Sequence, residues 1–274
     1  MDAQTALTRT PVRPGANIFP SGGGGLDVHS AAVKARISVI VPVLDEVRRI
    51  DALLGALVPP GAPDPCLEVI VVDGGSRDGT QARVRAFPSV RLVEAPRGRA
   101  RQMNAGAREA SGEALLFLHA DTTLPPGALD RLRETLDAGA DFGCFELSIE
   151  SQDPRLRVAS TMISLRSRLI PSATGDQAQW FRRAFFWRLG GFPDLPLFED
   201  LRIVGTAAGR GRYACVPLRV GTSARRWQAH GVSRTMARML LLRGLYHLGV
   251  DPRVLARFYA TNPRGESHPT PHDA

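Results

Sequence analysis

Leu67-Glu-Val-Ile-Val-Val-Asp-Gly-Gly-Ser-Arg-Asp-Gly-Thr80 decides the fold class. From Val69 the run is apolar and β-branched without alternation, as in a strand buried on both faces. It stops at Asp73, Gly74-Gly75 turns the chain, and a short helix is expected from Asp78. Upstream, Ile37-Ser-Val-Ile-Val-Pro-Val43 reads as a second buried strand. A helix is expected over 46–57, with Val47, Ile50, Leu53, Leu54 and Leu57 on one face. Downstream come a strand at 90–94, a helix at 99–110 and a strand at 114–118. Apolar strands separated by helices imply a Rossmann-like α/β domain, its mostly parallel sheet flanked by helices. Ligands of such sheets bind beyond the carboxyl ends of the strands. Polar residues gather there: Leu44-Asp45-Glu46, Asp73-Gly-Gly-Ser76 and His119-Ala-Asp121.

The second half is more mixed. A strand is expected at 142–149, and Asp153-Pro154 supplies an N-cap and an N1 proline for a helix to about 169. A polar loop, Pro171-Ser-Ala-Thr-Gly-Asp-Gln177, leads to a short strand around Trp180 and a helix through Trp187 that Gly190-Gly191 ends. Phe198-Glu-Asp200 opens another helix, and a late one spans 233–248. Residues 1–35 and 261–274, rich in proline or glycine, read as a disordered lead-in and tail. The organisation expected is one domain over 36–260, with a nucleotide-binding half (36–125) and an acceptor half (126–260).

The charge is asymmetric. Of a net +8, the part from Arg155 onward carries 19 Arg against 7 Asp and Glu, or +12, so the earlier part carries −4. A basic half could hold a phosphate-bearing ligand or an anionic lipid surface, or be a solvated arginine-rich face. There is no recognition helix, zinc finger or stacking platform, so no nucleic-acid partner is expected. Cys66, Cys144 and Cys215 form neither a zinc pattern nor a disulfide framework, as expected of small buried residues in a reducing compartment. The first segment lacks a signal-peptide pattern and no apolar run reaches bilayer length, so a cytoplasmic location is expected. Peripheral contact with anionic membrane is a further reading of 234–243, although its arginines do not segregate cleanly from its apolar residues.

In order and spacing, Ile37-Ser-Val-Ile-Val-Pro-Val-Leu-Asp-Glu46, Val69-Ile-Val-Val-Asp-Gly-Gly-Ser-Arg-Asp-Gly-Thr80, Leu116-Phe-Leu-His-Ala-Asp121 and Phe198-Glu-Asp200 resemble family 2 glycosyltransferases with the GT-A fold. The resemblance covers roughly residues 36 to 230. Gly175-Asp176-Gln177 and the short C-terminal half look like a small bacterial branch labelled arsenosugar-biosynthesis glycosyltransferases. The resemblance implies an inverting transferase that moves a sugar from a nucleotide-sugar donor, UDP-linked by expectation, to a small-molecule or lipid-linked acceptor.

Carried over residue by residue, the resemblance sets Asp73 against the nucleotide base, with Pro42, Leu44, Glu46, Ser76 and Ala120 around the nucleotide. Asp73 can equally cap its own turn, and Glu46 can complement a helix dipole. Arg99, Arg101, Gln102 and Asn104 begin a helix, where Arg99 and Gln102 would meet the nucleotide or simply face solvent. Asp121 ends a DXD-type motif whose first acid is replaced by His119; the two would hold Mg²⁺ or Mn²⁺ against a diphosphate. Asp200 is the implied general base and Glu199 its neighbour, with an acidic helix start as the plainer alternative. Asp176 and Gln177 are assigned to the acceptor. Arg226 and Trp227 resemble an Arg-Trp pair at the mouth of polymer-extending relatives, with Ser223 where those have glutamine. Arg226 would meet diphosphate and Trp227 the acceptor, and a single transfer is expected. Two alternatives stay open. A sugar nucleotidyltransferase would need a glycine-rich basic loop where Leu44-Asp-Glu-Val47 stands. An inactive nucleotide-sugar-binding module would not need Asp73, Asp121 and Asp200 together.

Overall fold

A computed structural model describes residues 35–260, apart from the side chains of Arg226, His230 and Ala260. The expected tail, and the expected lead-in up to residue 34, lie outside the described residues. The first half runs β1 (Ile37–Val43), α1 (Ile50–Leu57), β2 (Leu67–Asp73), α2 (Thr80–Arg85), β3 (Val90–Glu94), α3 (Arg99–Glu109) and β4 (Ala114–Phe117). The second runs β5 (Thr122–Thr123), α4 (Ala128–Asp137), β6 (Phe142–Glu150), α5 (Pro154–Leu169), a 3-10 turn (Gly175–Gln177), β7 (Trp180–Arg182), α6 (Arg183–Arg188), α7 (Glu199–Ala207), β8 (Tyr213–Ser223), α8 (Arg225–His230), α9 (Val232–His247) and α10 (Pro252–Ala260).

The strands form one sheet in the order β3-β2-β1-β4-β7-β6-β8-β5. The first four are parallel, with Val43 level with Asp73, so β1 and β2 end side by side. Beyond β4 the sheet is mixed: β7 runs antiparallel to β4 and β6, while β6 and β8 are parallel. Alternate strand residues face opposite layers. Val39, Val41, Val69 and Val71 pack with Leu53 and Leu54 of α1. Ile40, Ile70 and Val72 pack with Met103 and Ala107 of α3. Gly106 lets α3 come close, since a Cβ there would lie 2.5 Å from Ile40 Cγ2 and 2.8 Å from Val72 Cγ2.

Two departures from the sequence pattern matter for the site. Helix α1 begins at Ile50, not at 46, because the backbone of Asp45, Glu46 and Val47 is tied to the loop after β2. The 11-residue strand β8 has no counterpart in the sequence reading. Its Pro217 and Gly221 obscure any strand signal, and Pro217 sits in a bulge of β8, between Val216 opposite Phe145 and Arg219 opposite Glu146. The Asp153 side chain caps α5 as expected, accepting from the Arg155 N–H at 2.9 Å.

Candidate active site

At the mouth of the parallel strands, the loops after β1 and β2 are zipped together. The Asp45 N–H donates to Ser76 Oγ at 2.9 Å, and the Arg77 N–H donates back to Asp45 Oδ1 at 2.8 Å. The N–H groups of Glu46 and Val47 donate to Thr80 Oγ1 and Asp78 Oδ2 at 2.9 and 3.0 Å. Asp45 holds a left-handed φ of 54°, which aims its side chain into this network. Asp73 is fully buried, and its carboxylate accepts from the N–H groups of Gly75 and Ser76, from Ser76 Oγ and from Gln81 Nε2. Burial alone would raise its pKa; these donors outweigh that and hold it below the ordinary aspartate value. Asp73 thus caps its own turn, the plainer of its two sequence readings.

Gln102 departs from the nucleotide contact expected of it. It is buried, and its Nε2 donates to the carbonyls of Val43 and Val72 at 2.8 and 2.9 Å, pinning the ends of β1 and β2 together. Gly74 makes room for it: a Cβ there would sit 3.0 Å from the Gln102 amide. Glu46 pairs with Arg49 at 2.7 Å. Pro42 and Leu44 are half-buried at the mouth and Ala120 is buried.

Across the mouth is an acidic group with interleaved cations. Asp200, the second residue of α7, accepts from the Gly175 N–H through Oδ2 and from the Leu201 N–H through Oδ1, both at 2.7 Å. Two rigid backbone donors therefore orient this carboxylate. The preceding Phe198 is left-handed (φ 63°), a costly conformation for a bulky residue. It is held by packing against Leu201, Leu242, Leu255 and Tyr246. Glu199 is buried with Arg99 Nη1 at 3.6 Å from Oε1. Burial raises the Glu199 pKa; Arg99 opposes this at that distance without cancelling it, and Asp200 adds to the rise. Arg99 is about half exposed; its partial enclosure works downward and the carboxylates of Glu199, Asp200 and Asp176 more than offset it, so its pKa is raised.

His119 joins this group. Its Nδ1 lies 3.4 Å from Asp176 Oδ1, and its imidazole lies against Gly175, where a Cβ would approach Cε1 to 2.6 Å. Residue 175 must therefore be glycine for His119, Asp176 and Asp200 to share one corner. Gln177 departs from its acceptor assignment. It is fully buried, its Nε2 donates to the Phe145 carbonyl at 3.1 Å and its Oε1 accepts from the Thr174 N–H at 3.1 Å, so it builds the turn that presents Asp176.

Asp121 is half-buried where β8 returns to the mouth, and Arg225 Nη2 lies 3.6 Å from its Oδ2. Among the described residues no group of three or more His, Cys, Asp or Glu forms a metal cage. An ion at Asp121 would therefore complete its shell with phosphate oxygens and water, as Mg²⁺ and Mn²⁺ readily do. Asp121 would be the protein's carboxylate ligand to such an ion, while His119 is turned to Asp176. Trp227 is partly buried against the core, and the Arg226 side chain lies outside the described residues. Sequence reasoning passed over Arg225, although it directly precedes the Arg226-Trp227 pair, and the loop ties of Asp45, Asp78 and Thr80. Residue type alone does not distinguish a side chain bonded to a distant loop from one awaiting ligand.

A Rossmann-like sheet that turns antiparallel after β4, with acids at its open mouth, defines a GT-A fold. The chain matches the profile described as "Glycosyl transferase family 2" over residues 38–190. That is more than half of its length, and the chain belongs to this family. Glycosyltransferase AglE of Haloferax volcanii is 34% identical over 113 residues, 39% of this chain and 37% of that protein. The match thus spans little more than a third of that relative's length. Among solved structures, the mannosyltransferase PcManGT from Pyrobaculum calidifontis in complex with GDP-Man and Mn²⁺ superposes with a TM-score of 0.61 at 24% identity, over 83% of this chain and 70% of that one. TarS 1-349 of S. aureus in complex with UDP-GlcNAc gives 0.58 at 21% identity, over 69% and 58%. At these identities the likeness speaks for the fold. No helix among the described residues is long and apolar enough to cross a membrane.

Proposed function

We propose that this chain is an inverting glycosyltransferase that moves a sugar from a nucleotide-sugar donor to an acceptor hydroxyl, with Asp200 as the general base. The observation that carries this reading is the Asp200 carboxylate, held by the Gly175 and Leu201 N–H groups within the corner shared by Glu199, Arg99, Asp176 and His119. As the acceptor oxygen attacks the anomeric carbon, its proton passes to Asp200. The bond from that carbon to the diphosphate breaks on the opposite face, so the configuration inverts. Arg99 keeps Glu199 beside Asp200 and adds positive charge at the mouth. Asp121 would hold Mg²⁺ or Mn²⁺, whose charge offsets that of the leaving diphosphate, with Arg225 beside it.

The backbone and apolar side chains around Pro42, Leu44 and Ala120 would receive the nucleotide. Asp73, Ser76 and Gln102 shape that pocket, and Asp73 would meet the base only by giving up part of its turn. The donor is expected to be UDP-linked, and GDP-sugars deserve equal testing, since the two solved neighbours hold one of each. The short C-terminal half and Gly175-Asp-Gln177 support placement in the arsenosugar-labelled branch. Peripheral membrane contact draws support from exposed apolar side chains on two helices, Val158, Met162, Leu165 and Leu169 on α5 and Leu240 and Leu241 on α9. Flotation with anionic but not neutral vesicles would test it. The central test pairs nucleotide binding with turnover: UDP or GDP with Mn²⁺ should raise the melting temperature, and Asp200→Asn should keep that rise while losing transfer. Loss of both, or of neither, would overturn the assignment.

A further inference from the structure

The α5 and α9 helices bring two arginines together beside Asp200, and the donor-side reading uses neither. Arg166 lies in the last turn of α5; its Nε and Nη2 are shut off from solvent and have no hydrogen-bond partner among the described residues. Arg243 of α9 reaches the same place and spends its Nη2 on Ser172 Oγ, at 2.8 Å. The intervening loop is firm: Ser167 Oγ donates to the Ser172 carbonyl at 2.6 Å, and the Tyr213 hydroxyl donates to the Ser167 carbonyl at 2.8 Å. A guanidinium whose buried N–H groups are unsatisfied, and which feels the charge of a second guanidinium, is unfavourable unless an anion joins it. Burial and then the like charge of Arg243 push Arg166 down to about 10, and burial lowers Arg243 too. The carboxylate acting on both is that of Asp200, which is already engaged with the Gly175 and Leu201 N–H groups.

We propose that Arg166 and Arg243, with Ser172, form a subsite for a phosphoryl group carried by the acceptor. The inference rests on Asp200 being the base of the transfer. The same loop contacts Arg243 through Ser172 and Asp200 through Gly175, so a phosphoryl group at the arginines places its own molecule's hydroxyl, or the P–OH of a singly protonated phosphate, near that base. The donor's diphosphate belongs elsewhere, at Asp121, which already has Arg225 as its cation. Planar guanidinium forks suit a tetrahedral oxyanion, and two of them give orientation as well as charge.

The test is the melting temperature of the full chain titrated with inorganic phosphate, against sodium chloride at equal ionic strength. Phosphate should stabilise the wild type and Arg225→Gln alike. Arg166→Leu and Arg243→Gln should each need about tenfold more phosphate for the same rise, as expected for a lost charged hydrogen bond, and Arg243→Lys should recover part of it. Unchanged titrations in both variants, or a loss confined to Arg225→Gln, would overturn the proposal. So would a marked fall in the melting temperature of both variants without phosphate, which would mean that the arginines are structural. Parallel titrations with UDP and GDP separate this inference from the reading beneath it. If no form of the protein binds nucleotide, the transferase reading fails, whereas nucleotide binding lost in the same two variants would assign the arginines to the donor and sink the subsite. Farnesyl phosphate and farnesol identify the source. Tighter binding of farnesyl phosphate than of inorganic phosphate supports a lipid phosphate, equal binding supports a soluble phosphate ester, and farnesol binding as well as farnesyl phosphate would refute the site.

Discussion

The two sides of the mouth treat their polar residues differently. On the proposed nucleotide side, at the ends of the parallel strands, Asp45, Asp73, Ser76, Asp78, Thr80 and Gln102 bond to one another or to strand ends, so the motif is largely a scaffold. On the proposed acceptor side Asp200 is oriented by its backbone donors, Glu199 is buried at 3.6 Å from its cation, and Arg166 has buried N–H groups with no partner among the described residues. Polar groups satisfied internally keep a pocket's shape, whereas those left unsatisfied carry a cost that a ligand can relieve. The contrast teaches that a motif can mark a site without its side chains being the ones that touch the ligand.

The contrast breaks first at Asp200. Asp200→Asn should lower kcat by about 10²-fold or more, the usual scale for a general base, with nucleotide binding kept. Single-turnover rates beside UDP or GDP titrations would show it, and near-normal turnover would remove the acceptor side's claim to chemistry.

Asp73 sharpens the other side. Asp73→Asn should cost about 2 kcal/mol of stability at neutral pH, since a charged acceptor of several buried donors is lost, which urea unfolding would measure. The pH dependence follows from a folded pKa below the unfolded value of 3.8. The wild-type advantage is full above that value and disappears as pH falls through the lower folded value. A gap between the two proteins that stayed constant into strong acid would show that the carboxylate charge is not what stabilises the loop.

Gln102→Leu should destabilise by about 1–2 kcal/mol, because the Val43 and Val72 carbonyls lose a buried donor. Nucleotide affinity should fall only as far as the strand ends loosen. A selective loss of nucleotide binding without loss of stability would restore Gln102 as a direct contact.

Trp227→Ala is expected to have the smallest effect, raising KM for the acceptor by a few fold more than KM for the donor, as when one aromatic packing face is lost. Equal changes in both would make Trp227 structural.

Much of this architecture is legible in the chain itself. Strands β1 to β4 and the helices among them follow from apolar runs and turn residues, because backbone periodicity is a local property. The Asp153-Pro154 start of α5 and the glycine end of α6 are local in the same sense. The candidates Asp73, Asp121, Glu199 and Asp200 were visible by type and order. Their company was not. Asp45 meets Ser76 only because β1 and β2 end side by side, and His119 meets Asp176 and Asp121 meets Arg225 only because the chain turns back after β4 and returns to the mouth. Strand β8 itself escapes a pattern reading, since its proline falls in a bulge of β8, where two residues stand unpaired between Val216 and Arg219. The sequence by itself determined where the chain would extend, coil and turn, and which acids stand at strand ends. The tertiary structure alone decided which of those side chains are used up in holding loops and which keep unmet charge, because hydrogen-bond satisfaction depends on neighbours distant in the chain.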